Sequence, residues 1–281
     1  MDVSAIVPTL GRSPWLLQCL EALRREGAIE IVVVDQGETP ADLPEGIRVV
    51  RPGRNLGFAA GTNLGIAESS GALIAMVNDD AIVEPGWLER LRAALEENPK
   101  AAAAQGVNLL MDDPERADGC GIAWNRWWQA VQIGHGETAP PPTPGVQEIF
   151  GVSATAALFR REALLAVSFG DEVLDSRLIS YYEDVELAGR LRAADFRALL
   201  VPAARARHAG SVTGRTLSRE RWRLIYGNRY LAVARFLGWG FWPRLPILIL
   251  RDLLDLRHGD RTAGILAGWG RAFRLLITSR A

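Results

Sequence analysis

Asn78-Asp79-Asp80 directly follows the unbroken apolar run Leu73–Val77. Such a run reads as a buried strand. Two adjacent carboxylates at its tip are costly unless something neutralises them. A divalent cation does so, because hard cations prefer carboxylate and carbonyl oxygens, and this tip is where a metal-bound nucleoside diphosphate would dock. Asp35 closes another apolar run, Ile31–Val34. It can accept a hydrogen bond from the ring N–H of uracil or thymine, or from a ribose hydroxyl; a turn or cap role competes. In Tyr181-Tyr182-Glu183-Asp184-Val185-Glu186 the acids fall where a helix would begin. They either complement the helix N-terminus or supply a general base for a hydroxyl. His208 precedes the small-residue run Ala209–Gly214. Two Asp and one His form a reasonable cation ligand set, although a lone His is more often structural, as read for His135 and His258. Arg54–Asn63 is a Gly-rich loop, with Gly57, Gly61 and Gly65 four residues apart. That spacing fits neither a P-loop nor a dinucleotide fingerprint. It permits close approach of a ligand or close helix–sheet packing.

These residues need elements to position them. Strands are expected at Val3–Pro8, Ile29–Val34, Ile47–Val50 and Leu73–Val77. Helices are expected from Ser13-Pro14, with Leu16, Leu17, Leu20 and Leu23 as the apolar face, over Thr62–Ser69 and over Pro85–Glu97. Alternation of this kind implies parallel βαβ units, whose ligands bind beyond the carboxyl ends of the strands. Asp35 and Asn78–Asp80 would then share a pocket. Further strands are expected at Ala101–Leu110, Gln147–Phe159 with a turn at Gly151, and Phe196–Val201. Arg160–Val167 and Asp184–Ala194 read as helices. Prolines 140, 141, 142 and 144 make 135–145 a loop. Trp124, Trp127 and Trp128 take no firm assignment, and core packing is the stronger reading for them over sugar stacking. From Ser218 the chain reads as Arg-rich helix, broken at Pro243 and Pro246.

The chain has 281 residues, 48% of them hydrophobic, which excludes disorder and gives one large α/β unit plus an appendage. Cys19 and Cys120 alone make neither a disulfide framework nor a zinc cluster, and suit a reducing compartment. No secretory leader is visible at the start. Residues 1–204 carry 17 Lys+Arg and 29 Asp+Glu, whereas residues 205–281 carry 15 Arg and 4 Asp+Glu. A basic tail interleaved with Trp, Phe and Leu suits an anionic membrane surface. Leu231–Leu250 is about long enough to span, but Arg235, Arg244 and two prolines favour an interfacial segment. Nucleic acid is not expected as a partner, because the acidic first part would repel it.

Val7-Pro8-Thr9, Val33-Val34-Asp35, Asn55-Leu56-Gly57-Phe58-Ala59, Asn78-Asp79-Asp80, Glu183-Asp184 and Arg207-His208-Ala209-Gly210 occur in an order that resembles inverting glycosyltransferases of family 2. The Asn-Leu-Gly-Phe-Ala loop and the Tyr-Glu-Asp stretch are most similar to the bacterial rhamnosyltransferase and galactofuranosyltransferase branch. The resemblance implies the GT-A nucleotide-diphospho-sugar transferase fold, α/β with a mixed Rossmann-like sheet, over residues 1–215. Residues 1–100 would be the nucleotide-binding half, 101–215 the acceptor-binding half, and 216–281 a basic, aromatic-rich helical tail. It implies Pro8, Thr9, Leu10, Gly11 and Asp35 in the base and ribose pocket. Asn55, Gly57, Phe58 and Asn63 would lie around the nucleotide, with Asn78 and Asp79 beside it. Asp80 and His208 would ligate Mg2+ or Mn2+. Asp184 would be the general base with Glu183 beside it, and Arg215 a cation on the diphosphate. The implied donor is a dTDP- or UDP-linked sugar such as rhamnose. The implied acceptor is a glycan or lipid-linked hydroxyl in cell-surface polysaccharide synthesis, at the cytoplasmic face of the plasma membrane, with a homo-oligomer as a further expectation. A non-catalytic nucleotide-sugar-binding module is the alternative. A nucleotidyltransferase is disfavoured, since Pro8-Thr9-Leu10-Gly11-Arg12 is too short and Gly-poor for its phosphate loop.

Overall fold

A computed structural model describes residues 2–27, 30–210, 218–257 and 259–278. In chain order the elements are β1 (Val3–Thr9), α1 (Leu16–Arg25), β2 (Glu30–Asp35), β3 (Arg48–Val50), α2 (Phe58–Ala67), β4 (Leu73–Val77), β5 (Ala81–Val83), α3 (Trp87–Glu97) and β6 (Ala101–Leu110). Then come β7 (Ala117–Gly119), β8 (Ile122–Trp124), β9 (Ala130–Gln132), β10 (Gln147–Ile149), β11 (Ala156–Arg160), α4 (Arg161–Ala166), a 3-10 turn (Ser176–Leu178), α5 (Glu183–Ala193) and β12 (Arg197–His208). The tail comprises α6 (Ser218–Leu237), a 3-10 segment (Gly238–Arg244), α7 (Leu245–Asp255) and α8 (Gly259–Ile277).

One mixed sheet runs β10-β12-β6-β11-β4-β1-β2-β3, with β5 on β12 and β7 on β6. Its centre is apolar on both sides, as a sheet covered by helices requires. Alternation along the strands divides the core. Val3, Ala5, Val7, Leu73, Ala75 and Val77 face α1 and α3. Ile6, Val32, Ile74 and Met76 face α2, α4 and α5. Strands β1, β2 and β4 are parallel, with Thr9 opposite Asp35 and Val3 opposite Leu73, so their carboxyl ends share one edge.

Two departures from the expected elements matter. Strand β12 does not stop at Val201; it continues through Pro202 to His208. The ladder with β6 slips between Leu200 and Arg205, which absorbs the proline as a bulge does. Helix α2 begins at Phe58 rather than Thr62. Its first N–H groups find acceptors remote in sequence: Ala59 N–H donates to the Ile179 carbonyl (3.0 Å) and Phe58 N–H to Ser180 Oγ (3.3 Å). Helix α1 likewise starts at Leu16, and Ser13 does not cap it.

The tail is packed onto the sheet domain. Helix α6 lies on α5 and α8, with Tyr230, Leu231, Ala232 and Val233 buried. Trp124 sits among Trp128, Phe150, Tyr182 and Phe236, with ring centroids 6.1–6.2 Å away, so it joins this packing. No described helix is long and apolar enough to cross a membrane.

Candidate active site

At the carboxyl edge, Thr9 Oγ1 donates to Asp79 Oδ2 (2.5 Å) and accepts from Gly11 N–H (2.9 Å). Ser13 Oγ donates to the Asp79 carbonyl (2.9 Å), the work it does in place of capping a helix. The loop after β1 is therefore tied to the tip of β4. Burial pushes the Asp79 carboxyl up to about 6; the Thr9 hydrogen bond opposes this and the neighbouring Asp80 charge adds to it. Pro8 pairs with Val34 in the sheet, and the Leu10 carbonyl crowds Gly37, so this loop also rests on the end of β2.

The next residue joins the second strand system. Because β5 pairs with β12 so that His208 lies opposite Ala81, the imidazole is delivered to Asp80. His208 Nε2 is 3.2 Å from Asp80 Oδ1, and His208 Nδ1 is 2.8 Å from Asp118 Oδ2. All three side chains are largely buried. Burial works against a charged ring, but Asp118 and Asp80 outweigh it and hold His208 at about 9. An imidazolium proton between carboxylates supplies the positive charge that a divalent cation would bring. Nε2 is buried and makes no hydrogen bond of good geometry, whereas Nδ1 is fixed by Asp118. That is the arrangement of a metal-binding histidine oriented by an outer carboxylate. Among the described residues no group of three or more His, Cys, Asp or Glu is placed to hold a metal ion. Asp80 and His208 thus fit a cation completed by ligand oxygens, as Mg2+ and similar ions are bound through one or two side chains and substrate phosphates.

The second acidic pair lies at the start of α5. The approach to it is strained: Ile179, Tyr181 and Tyr182 have φ of 65°, 67° and 70°, a region that residues with a Cβ rarely occupy. Asp184 Oδ1 accepts Val185 N–H (2.8 Å), and Oδ2 faces Ala154 N–H (3.4 Å). Thr155, next to Ala154, offers its carbonyl to Asn78 N–H (2.9 Å), and Ala156 is opposite Val77 in the sheet. Residues 154–156 therefore bridge the two acidic clusters. Burial, with the adjacent Asp184 charge, pushes Glu183 up to about 8, and its Oε2 is buried without a partner among the described residues. Burial also raises Asp184, but backbone N–H groups stabilise its ionised form. Of the two, Asp184 has the backbone donors that support a charge, and Glu183 has none on Oε2.

The other residues expected around a nucleotide make contacts within the chain. Asp35 is turned into its own loop, accepting from Gly37 N–H (3.1 Å), Ala41 N–H (3.0 Å) and Arg51 Nε (3.0 Å). Gly57, at φ 85°, touches the 179 region; a Cβ there would come within 2.6 Å of Ile179 Cγ2. Asn63 exchanges hydrogen bonds with the backbone of Leu174 (2.7 and 2.9 Å). Asn55 Oδ1 accepts Gly57 N–H (2.8 Å). The Gly-rich loop thus braces the segment that leads into Glu183-Asp184. Arg215 and the run from Ser211 to Gly214 lie outside the described residues.

Sequence reasoning missed two residues. Asp118 lies on a three-residue strand in a stretch without periodicity. Asn228, fully buried in α6, places Nδ2 at 2.8, 2.9 and 2.8 Å from the carbonyls of Leu178, Ser180 and Tyr181. Its Oδ1 accepts Arg271 Nε (2.7 Å). An Arg-rich helix gave no signal that one amide holds the acidic loop.

The model of "Glycosyl transferase family 2" matches residues 4–165. The chain is 28% identical over 233 residues to the uncharacterised protein y4gI of Sinorhizobium fredii, covering 75% of this chain and 25% of that protein. It is 24% identical over 285 residues to a pre-mycofactocin glycosyltransferase of Mycobacterium tuberculosis, covering 99% of this chain and 53% of that protein. The chain therefore spans between a quarter and about half of these curated relatives. Among solved structures, GalNAc-T7 with UDP, GalNAc and Mn2+ superposes with a TM-score of 0.61 at 14% identity, covering 84% of this chain and 50% of that one. That likeness concerns the fold. The strand-edge acids, the mixed sheet and the family match over more than half the chain agree: this protein belongs to glycosyltransferase family 2 and has the GT-A fold.

Proposed function

We propose that the chain is an inverting, metal-dependent glycosyltransferase that moves a sugar from a nucleoside diphosphate to an acceptor hydroxyl. The observation that carries this is the joining of Asp79, Asp80 and His208 to Asp184 through residues 154–156 at one sheet edge. Asp80 and His208 would hold the cation, with Asp118 as the positioning residue behind the imidazole. When bound, that cation neutralises the charge developing on the departing diphosphate. Thr9, Ser13 and Asp79 fix the loop beneath the nucleotide. Asp184 accepts the acceptor's hydroxyl proton as its oxygen attacks the anomeric carbon from the face opposite the leaving group, inverting configuration. No covalent intermediate on the protein is required. Glu183 stays protonated and keeps a second charge away from the base.

The donor is a uridine- or thymidine-linked sugar, with dTDP-rhamnose the first to test. The acceptor is a glycan or lipid-linked hydroxyl of a cell-surface polysaccharide, presented at the inner face of the plasma membrane. The test is turnover of a nucleotide-sugar panel with Mn2+. Wild type is expected to release nucleoside diphosphate, and Asp184→Asn to lose roughly 10²–10⁴-fold in kcat while still binding UDP or dTDP. Nucleotide binding with no turnover by wild type would leave a binding module instead.

A further inference from the structure

Helix α7 is built inside out. Its inner face carries Leu248, Asp252 and Asp255, all buried. The two acids are consumed there. Asp252 accepts from Arg229 Nη2 (2.6 Å), the Tyr230 hydroxyl (2.7 Å) and Trp269 Nε1 (2.8 Å). Asp255 accepts from the Tyr226 hydroxyl (2.7 Å) and Arg251 Nη1 (2.5 Å). On the opposite face, at helical spacing, stand Ile249, Leu250, Leu253 and Arg257. Leu250 is 49% exposed and Leu253 47%; the preceding 3-10 segment adds Trp239 at 90% and Trp242 at 60%. A helix facing water has the reverse pattern. Of the 15 large apolar side chains exposed among the described residues, ten lie between Phe236 and Ile277, so exposed apolar side chains are concentrated in the tail.

We propose that this face rests on an anionic lipid bilayer, with Trp239 and Trp242 at the headgroup level and the α7 aliphatics in the acyl boundary. Charge selects the bilayer over a second copy of the chain. Among described side chains after Phe236, the acids are Asp252 and Asp255, both buried, whereas Arg244 is half-buried and Arg257 exposed, so the described charge on this side is basic. Two copies meeting on this face through a two-fold axis would oppose like charges. Anionic headgroups would pair with them. Tryptophan is the residue enriched at such boundaries, and attachment in the plane needs no spanning helix. The inference concerns where the protein works; it rests on the packing of the tail, not on the transferase reading.

The test is flotation of the full chain with phosphatidylcholine vesicles, with and without about 30 mol% phosphatidylglycerol. Wild type is expected to float with the anionic vesicles and to be released as salt rises past the screening range. The triple variant Trp239→Ser, Leu250→Ser, Leu253→Ser should bind at least ~10-fold less. It should keep its circular dichroism, melting temperature and donor turnover in solution, because the replaced side chains face solvent. Arg257→Glu should weaken binding to anionic vesicles alone. Failure of wild type to float, or equal binding by the triple variant, would overturn the proposal. So would a dimer in sedimentation velocity that the triple variant dissolves while vesicle binding is absent, since that outcome assigns the face to a second copy. Flotation without sugar transfer would leave this inference standing and sink the transferase reading.

Discussion

Asp118 does its work through another residue. By holding His208 Nδ1 at 2.8 Å it fixes the ring so that Nε2 faces Asp80. Asp118→Asn keeps the size of the side chain and removes its charge. It should weaken Mn2+ binding in the presence of UDP by roughly 10–100-fold, read by titration calorimetry. Metal-free nucleotide binding should change little. Glu183 makes the opposite kind of prediction. Its carboxyl is raised from an ordinary 4.5 to about 8, so between those values the folded chain holds a proton that the unfolded chain has lost. Stability therefore falls as pH climbs through that window. Glu183→Gln should flatten this dependence and melt several degrees above wild type at pH 8, as scanning calorimetry across pH would show. At neutral pH it should keep most of its turnover, which separates it from Asp184→Asn.

At the level of elements, the two ends of the site are held by contacts distant in sequence. Gly57 is the sharpest case, since its φ of 85° and its contact with Ile179 both exclude a side chain. Gly57→Ala should cost about 1–3 kcal/mol in chemical denaturation and displace the 179–182 segment. That displacement would lower kcat more than it raises donor KM. The same geometry explains what the sequence could disclose. Strand β4 and its acids, β1, β2 and the α/β alternation were legible because an apolar run ending in Asn78-Asp79-Asp80 is a local signal. The start of α2 was not legible, because its acceptors come from Ile179 and Ser180. The length of β12 was hidden by Pro202, which reads locally as a stop until the bulge against β6 absorbs it. Asp184 and His208 could be named from their motifs. Asp118, His208's partner across 90 positions, could not.

For the whole molecule, the charge asymmetry suggests a detachable basic tail, yet the contacts tie that tail to the loop before Glu183-Asp184. Asn228 meets three carbonyls of the acidic loop, and Arg271 joins Asn228 to the Arg177 carbonyl. Asn228→Ala should remove the side-chain donor from these carbonyls, leaving Leu178 only its bond from Ser180 N–H, and cost roughly 1–3 kcal/mol by urea denaturation. It should also lower turnover, although Asn228 lies on a helix outside the sheet domain. Removing residues 218–281 altogether is then a poor probe of membrane attachment, because it strips the loop of its support. Surface substitutions on α7 are the cleaner tool.

The clamp on the loop also restricts how members of the family can be recombined. The helices with the outward aliphatics belong to the same tail as the amide that grips residues 178–181. Swapping C-terminal tails between relatives would bring a foreign grip to a native loop. A working chimera would have to transplant the 174–184 stretch together with its helices, so the two segments are expected to be inherited as one piece even though residues 185–217 separate them.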